Sequence, residues 1–160
     1  MGRKFRQLTM LLHPFPAKVI HDNPGGGGQY VKHSTVEQRI IDALGTPPDT
    51  SMVALIRGAA PGKSGKPDLE NVVCGVVLRM EAVIDGKPWF AEEVGDCELP
   101  SNWKHDGARA KDAFSDAYKR CAMRAGVALH LWSQDDFYLA EKLMKQDEAA
   151  AVPPVEGNPK

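Results

Sequence analysis

The sequence predicts an α+β fold in which a mostly antiparallel β-sheet, built around a hairpin, packs on one long amphipathic helix. Two observations lead to that class. In Gly107–Gly126, Phe114, Ala117, Tyr118, Cys121, Ala122 and Ala125 recur at the spacing of a single apolar helical stripe. Upstream, the β-rich run Val72–Val83 is followed by Asp85-Gly86, a strong two-residue hairpin signal, and then by Trp89–Val94. Strands grouped before a long helix give an α+β plan.

Each element has its own warrant. Residues 3–11 read as a short basic-apolar helix stopped by His13-Pro14-Phe15-Pro16, because a residue before proline is biased to extended geometry. Ala17–His21 and Gln29–Lys32 read as short strands flanking the turn Asn23–Gly28. Ser34 with Glu37 three residues on has the capping-box pattern, opening a helix that Gly45 stops after Leu44. Ser51–Arg57 is a further strand, and Gly58–Glu70 a loop rich in Gly, Pro and Lys. Trp89 and Phe90 are adjacent on a strand, so one faces the core and the other the outside. The long helix is expected over Gly107–Leu129 and a shorter one over Asp135–Met144. The expected organisation is a main domain over 1–132, a short C-terminal helix within 133–146 and a disordered tail over 147–160.

The net charge of −1 hides a strong asymmetry. Residues 104–124 carry six Lys or Arg against three Asp, whereas the chain beyond residue 132 is mainly acidic. On a helical wheel Arg109, Lys119, Arg120 and Arg124 fall opposite the apolar stripe. Such a helix turns one face to a core and a row of cations outward, and the natural partner of that row is a polyanion. A solvated charge pair is the commoner fate of Lys119-Arg120, but Arg120 and Arg124 are i, i+4 neighbours and reinforce each other's field.

Other chemistries find little footing. Gly58-Ala-Ala-Pro-Gly62-Lys63-Ser64 has three residues between its glycines where a phosphate-binding P-loop needs four. The glycines 25–28 read either as a flexible connector or as backbone able to approach a phosphate. The five histidines and the cysteines Cys74, Cys97 and Cys121 match no metal spacing. Cys97 and His105 form a nucleophile–base pair only if the fold brings them together, and no third partner is suggested. No apolar run is long enough to span a membrane, and Arg6 stands where a myristoylation motif needs Ser or Thr, so a reducing cytoplasm is expected.

Four stretches, in order and spacing, resemble one family. They are Leu12–Ile20 with its His-Pro-Phe-Pro run, Gly26-Gly27-Gly28-Gln29-Tyr30-Val31, Asp85-Gly86 leading to Glu93-Val94-Gly95, and Lys111–Arg120 with its Asp-Ala-Tyr-Lys-Arg core. Together they resemble the Rad fifty-two family of single-strand annealing proteins, in particular its phage and prophage branch, over roughly residues 10–132. The resemblance implies an annealing-type α+β domain that assembles side by side into rings, holding single-stranded DNA in a basic groove with bases exposed and consuming no nucleotide or metal. By the same resemblance Lys119 and Arg120 match the DNA-contacting pair and Tyr30 an aromatic near the groove. Arg124 departs from the pattern, since the family's next basic residue falls where this chain has Met123. The partner-binding extension of the eukaryotic members is not expected.

The resulting expectation is an ATP-independent, non-enzymatic single-strand annealing protein of homologous recombination and break repair, without cofactors, in the cytoplasm of a bacterial host. Its DNA-binding residues are taken as Lys119, Arg120, Arg124, Arg109, Lys111, Tyr30, Lys18 and Lys32. Its expected partners are single-stranded DNA, further copies of itself, and a single-strand-binding protein or exonuclease of the same recombination system. The alternatives are a single-strand binder that does not anneal, and a small nucleotide-dependent enzyme built on the glycine-rich loops.

Overall fold

Alternating apolar residues and one tight turn build the centre of the fold. The computed structural model describes residues 6–151. Strands β1 (His21–Asp22) and β2 (Gln29–Tyr30) form a small antiparallel pair. Strands β3 (Asp49–Ala60), β4 (Leu69–Ile84) and β5 (Lys87–Asp96) form a three-stranded antiparallel sheet in that order. Asp85 and Gly86 close β4 onto β5 with φ of 50° and 76°, the two positive angles that a type I′ turn requires. Helices α1 (Gln7–Leu12), α2 (His33–Leu44), α3 (Asp106–Arg124), α4 (Leu129–Ser133) and α5 (Leu139–Ala150) complete the α+β architecture.

Residues paired across antiparallel strands share a face of the sheet. Leu78 and Met80, with Ala91 opposite Met80, lie on the face that α3 covers and are buried. The helical layer is composite. Leu11 of α1, Val36 and Ile40 of α2, and Ala117, Tyr118 and Cys121 of α3 share one buried cluster with these strand residues. Trp89 packs against that cluster while Phe90 points the other way and is 61% exposed, so the two aromatics divide between the faces as expected.

Several boundaries differ from the sequence reading. The extended segment expected at Ala17–His21 is mostly a 3₁₀ turn (Ala17–Val19), leaving only His21 to pair. Helix α2 starts at His33 without a side-chain cap, so Ser34 lies in the first turn rather than capping it. Its other end is as expected, with Gly45 at φ 79° donating its N–H to Ile41. The loop expected at 58–70 is shorter, because β3 continues to Ala60 and β4 begins at Leu69.

The long helix ends at Arg124, short of Leu129. Gly126 takes φ 103°, its N–H donates to Met123, and the Val127 N–H donates to Ala122, the paired bonds of a Schellman closure. The expected disorder from Asp147 is also corrected. Helix α5 includes Asp147, whose carboxylate accepts from Thr9 Oγ1 at 2.7 Å and from the Arg6 N–H at 3.1 Å. Residues 152–160, the rest of that expected tail, and the start of the helix expected at 3–11 lie outside the described residues.

Two carboxylates fasten distant elements. Helix α1 has no cap of its own, and Asp85 supplies one from the β4–β5 turn, accepting from the Gln7 and Leu8 N–H groups at 2.8 and 3.2 Å. Asp106, the first residue of α3, accepts from the Val73 N–H, from Arg57 and from Arg109. These bonds, that of Val73 foremost, hold its carboxyl below the ordinary range.

Helix α3 meets β5 at Gly95. A Cβ placed there would lie 2.0 Å from the Ala113 carbonyl oxygen and 2.3 Å from the Ala117 nitrogen, both backbone atoms that cannot turn aside. Gly95→Ala is therefore expected to destabilise the protein by about 3 kcal/mol, read as a lower denaturation midpoint with an unchanged denaturant slope. A variant as stable as the parent would show that the helix can lift from the strand at no cost.

Candidate nucleic-acid interface

The outward face of α3 is where the expected site residues can be tested against geometry. Ala113, Ala117, Cys121 and Ala122 are fully buried, which settles the inward face. On the outer side Arg120 Nε donates to Asp116 Oδ2 at 2.8 Å, and the same oxygen accepts the Asp96 N–H at 3.1 Å. Arg120 is thereby tied to the end of β5. Its guanidinium also lies 5.7 Å from the ring centroid of Trp132. Arg124 is exposed, with Nη1 3.4 Å from Glu93 Oε1 on β5.

Lys119 looks toward α2 instead. There His33 stacks on Tyr118 with ring centroids 4.3 Å apart, and its Nδ1 lies 3.2 Å from Ser115 Oγ. The Tyr118 hydroxyl donates to Glu37. Burial lowers the pKa of His33, Glu37 opposes that shift, and the charge of Lys119 adds to it. Lys32, exposed just before α2, stands beside this group in the chain. Lys119 and the Lys32–His33 start of α2 thus belong to one neighbourhood.

The remaining predicted residues divide. Arg109 is not part of the outer face. It is 5% exposed, and its guanidinium donates to the carbonyls of Pro100 and Trp103 and to Asp106. The wheel placed it outward, but the connection from β5 folds over the first turns of α3 and encloses it. Lys111 is exposed nearer the start of the same helix. Tyr30 is half-buried, its ring tilted against His21 at 5.5 Å. Lys18 is exposed on the 3₁₀ turn. Among the described residues no hydrogen bond or ion pair joins Lys18, Tyr30 or Lys111 to the Lys119–Arg120 pair.

The cation row is also less bare than the wheel implied, because Asp116 and Glu93 each take one arginine. The Asp116–Arg120 pairing was legible as an acid four residues before a base. Glu93 and Trp132 were not, since both reach α3 only through tertiary structure.

The segment after Gly62-Lys63-Ser64 is strand β4 rather than a helix, and the Gly62 N–H donates to Asp68 at 2.9 Å, where a phosphate-binding loop would leave it free. Burial, with Asp112 as a bonding neighbour, pushes the Cys97 thiol up to about 11, and burial does the same to Cys121. Such thiols are poor nucleophiles. No group of metal-ligating side chains occurs among the described residues, and no helix among them is long and apolar enough to cross a membrane. No protein-family model matches the chain, and no curated protein matches it in sequence.

His33 and His130 have pKa values lowered chiefly by burial, and Arg39 and His13 add to the effect on His130. Below the unfolded histidine value of about 6.5, the unfolded chain binds more protons than the native one. Their stabilisation is therefore complete above that pH and is lost as pH falls through the native values. The Tm is expected to be flat near neutrality and to drop on mild acidification, before carboxylates titrate. Replacing both histidines with glutamine should flatten that drop, and an unchanged profile in the double variant would reject the assignment.

Proposed function

We propose that this chain binds single-stranded DNA through the outer face of α3 and anneals complementary strands as a homo-oligomeric ring. The observation that carries the reading is a basic surface made of the half-buried Lys119 and Arg120 and the exposed Arg124, on a helix whose opposite face is locked into the core. The Lys-Arg pair is also the centre of the motif that resembles the annealing family, and the α+β plan of sheet and helices is compatible with that family's domain. The pairs Arg120–Asp116 and Arg124–Glu93 are no obstacle. The bonds to Asp116 and Glu93 use Arg120 Nε and Arg124 Nη1, and the other guanidinium nitrogens of both arginines remain to meet a phosphate.

The mechanism is physical. Cations neutralise phosphates and so weaken the repulsion between two strands brought together. Grip on the backbone is indifferent to sequence and leaves base edges free to test complementarity. The duplex supplies the driving force, about 1.4 kcal/mol per base-pair step, and neither nucleotide nor metal is needed. On this reading the protein acts on transient single strands in recombination, in a bacterial cytoplasm and beside an exonuclease or a single-strand-binding protein.

The ring rests on the sheet. Strand β3 is an edge whose residues Asp49–Arg57 are all exposed, and Met52 and Val53 are each 53% accessible. Helix α3 lies over β4 and β5, and Met52, Val53, Leu55 and Ile56 of β3 are exposed among the described residues. An exposed edge of this length pairs with another chain unless something prevents it, and a head-to-tail pairing that closes gives a ring.

Two outcomes follow. Lys119→Ala with Arg120→Ala should weaken single-strand binding at least about tenfold and make its salt dependence shallower by about 1.4 log units per log unit of salt, with the Tm unchanged. Annealing by the parent should proceed in EDTA without ATP. Unaltered affinity and slope in the double variant would overturn the interface. Separately, Met52→Glu with Leu55→Glu should shift sedimentation to smaller species and lower DNA affinity by about a hundredfold through lost avidity, although no cation is touched. A variant that stays assembled would remove β3 from the subunit contact.

A further inference from the structure

Trp132 is the residue on this surface whose placement packing does not explain. Helix α4 has only five residues, and its neighbours Leu129 and Leu131 pack against buried clusters. Trp132 points away from them and is 54% exposed. Its ring contact is with the guanidinium of Arg120, 5.7 Å from the centroid, near the outer limit of a cation–π contact, and it leaves the indole largely uncovered. Leaving so much aromatic surface in water forgoes a large burial term.

The chain spends conformational strain to put it there. After Arg124 the backbone passes through Gly126 at φ 103° and Ala128 at φ 60°, two left-handed residues that end α3 and set the start of α4. Ala128 is not a glycine, so this turn is held against its own preference. Beyond this turn an indole stands beside Arg120, which Asp116 anchors to β5.

We infer that Trp132 is a base-stacking platform, contacting a nucleobase of a single strand whose phosphate is held by Arg120. The inference rests on the reading of α3 as the single-strand interface and adds a contact to the bases. An exposed aromatic next to cations is the arrangement that binds single strands without regard to sequence, because every base has a π-face. Stacking engages that face and leaves the pairing edge outward. A base held in this way is still presented to a complementary strand.

The test compares an oligothymidylate with an abasic strand of equal length, using the full chain and its Trp132→Ala, Trp132→Phe and Lys119→Ala/Arg120→Ala variants. Trp132→Ala should lose about tenfold in affinity for the oligothymidylate and little for the abasic strand, and Trp132→Phe should restore most of the loss. In a protein with Trp89 and Trp103 replaced by phenylalanine, the oligothymidylate but not the abasic strand should quench the remaining fluorescence. Equal affinity of Trp132→Ala and the parent for the oligothymidylate would overturn the inference, as would an equal loss on both strands. If that happens while the Lys119/Arg120 variant binds weakly, the interface stands and Trp132 leaves it. If Trp132→Ala instead alters sedimentation with DNA affinity intact, the indole is a protein contact. Failure of the parent to bind either strand would overturn both readings.

Discussion

The arrangement depends on one close approach, the backbone of α3 against Gly95 of β5. At that point the sheet presents no side chain and the helix presents Ala113 and Ala117, so backbone meets backbone. This fixes the height, position and rotation of α3 together. Height follows because any Cβ at residue 95 would strike atoms that cannot move. Position follows because the contact lies on β5, so the helix covers β4 and β5 and leaves β3 without a lid. Rotation follows because the narrow Ala113–Ala117 edge enters there, which leaves Arg124 exposed and Arg120 half-buried on the opposite side. The basic face and the uncovered strand thus have a common cause.

Charge on that face is organised rather than merely abundant. Asp116 accepts both from Arg120 and from the backbone of Asp96, so the arginine is referenced to the sheet as well as to its own helix. Glu93 does the same for Arg124 from the neighbouring turn of the surface. An unpaired arginine would sample many rotamers and lose that freedom on binding, at a cost of about 1 kcal/mol per ordered side chain. The carboxylates reduce the net field but hold the cations in place. Lys119 differs, for it has no carboxylate partner among the described ion pairs and stands by the stack of half-buried His33 on buried Tyr118. Arg109 shows the opposite fate of a cation on the same helix, with its guanidinium bonds used to hold the Pro100–His105 connection down.

Much of this was legible in local pattern. The apolar stripe of α3, the Asp85-Gly86 turn, the Gly45 stop and the opposed Trp89 and Phe90 all follow from periodicity or backbone preference. What escaped was set by distant contacts. Arg109 looked outward because a helical wheel carries no information about a loop folding back over it. Ser34 looked like a cap because nothing local shows where the first helical turn begins. Asp85 reads as a turn residue, while its capping of α1 needs the whole fold to be known. The end of α3 is a different case. Gly126 was a visible stop signal, but the apolar residues continuing through Val127 and Leu129 mask it in a periodicity argument. The turn taken there is what makes Trp132 a neighbour of Arg120.

The edge strand raises a last physical point, since a long exposed β-strand with apolar side chains is an aggregation hazard as well as an interface. β3 answers it through irregular pairing with β4, in which Val53 is an extra residue on β3 and Cys74 one on β4. Its register with β4 shifts between Met52 and Ala54, between Ile56 and Arg57, and between Gly58 and Ala60. Each irregularity interrupts the ladder and twists the edge. No long flat row of N–H and C=O groups is therefore offered to an arbitrary strand, and the longest regular stretch is Asp49–Met52. An incoming strand must match that short stretch and the bend that follows it while filling the surface around Met52 and Leu55. A copy of the same chain can meet such a requirement at every interface of a closed assembly, whereas an unfolded segment meets it only by chance. In the ring proposed above, specificity at this edge comes from irregular backbone, and affinity from the apolar side chains that α3 leaves uncovered.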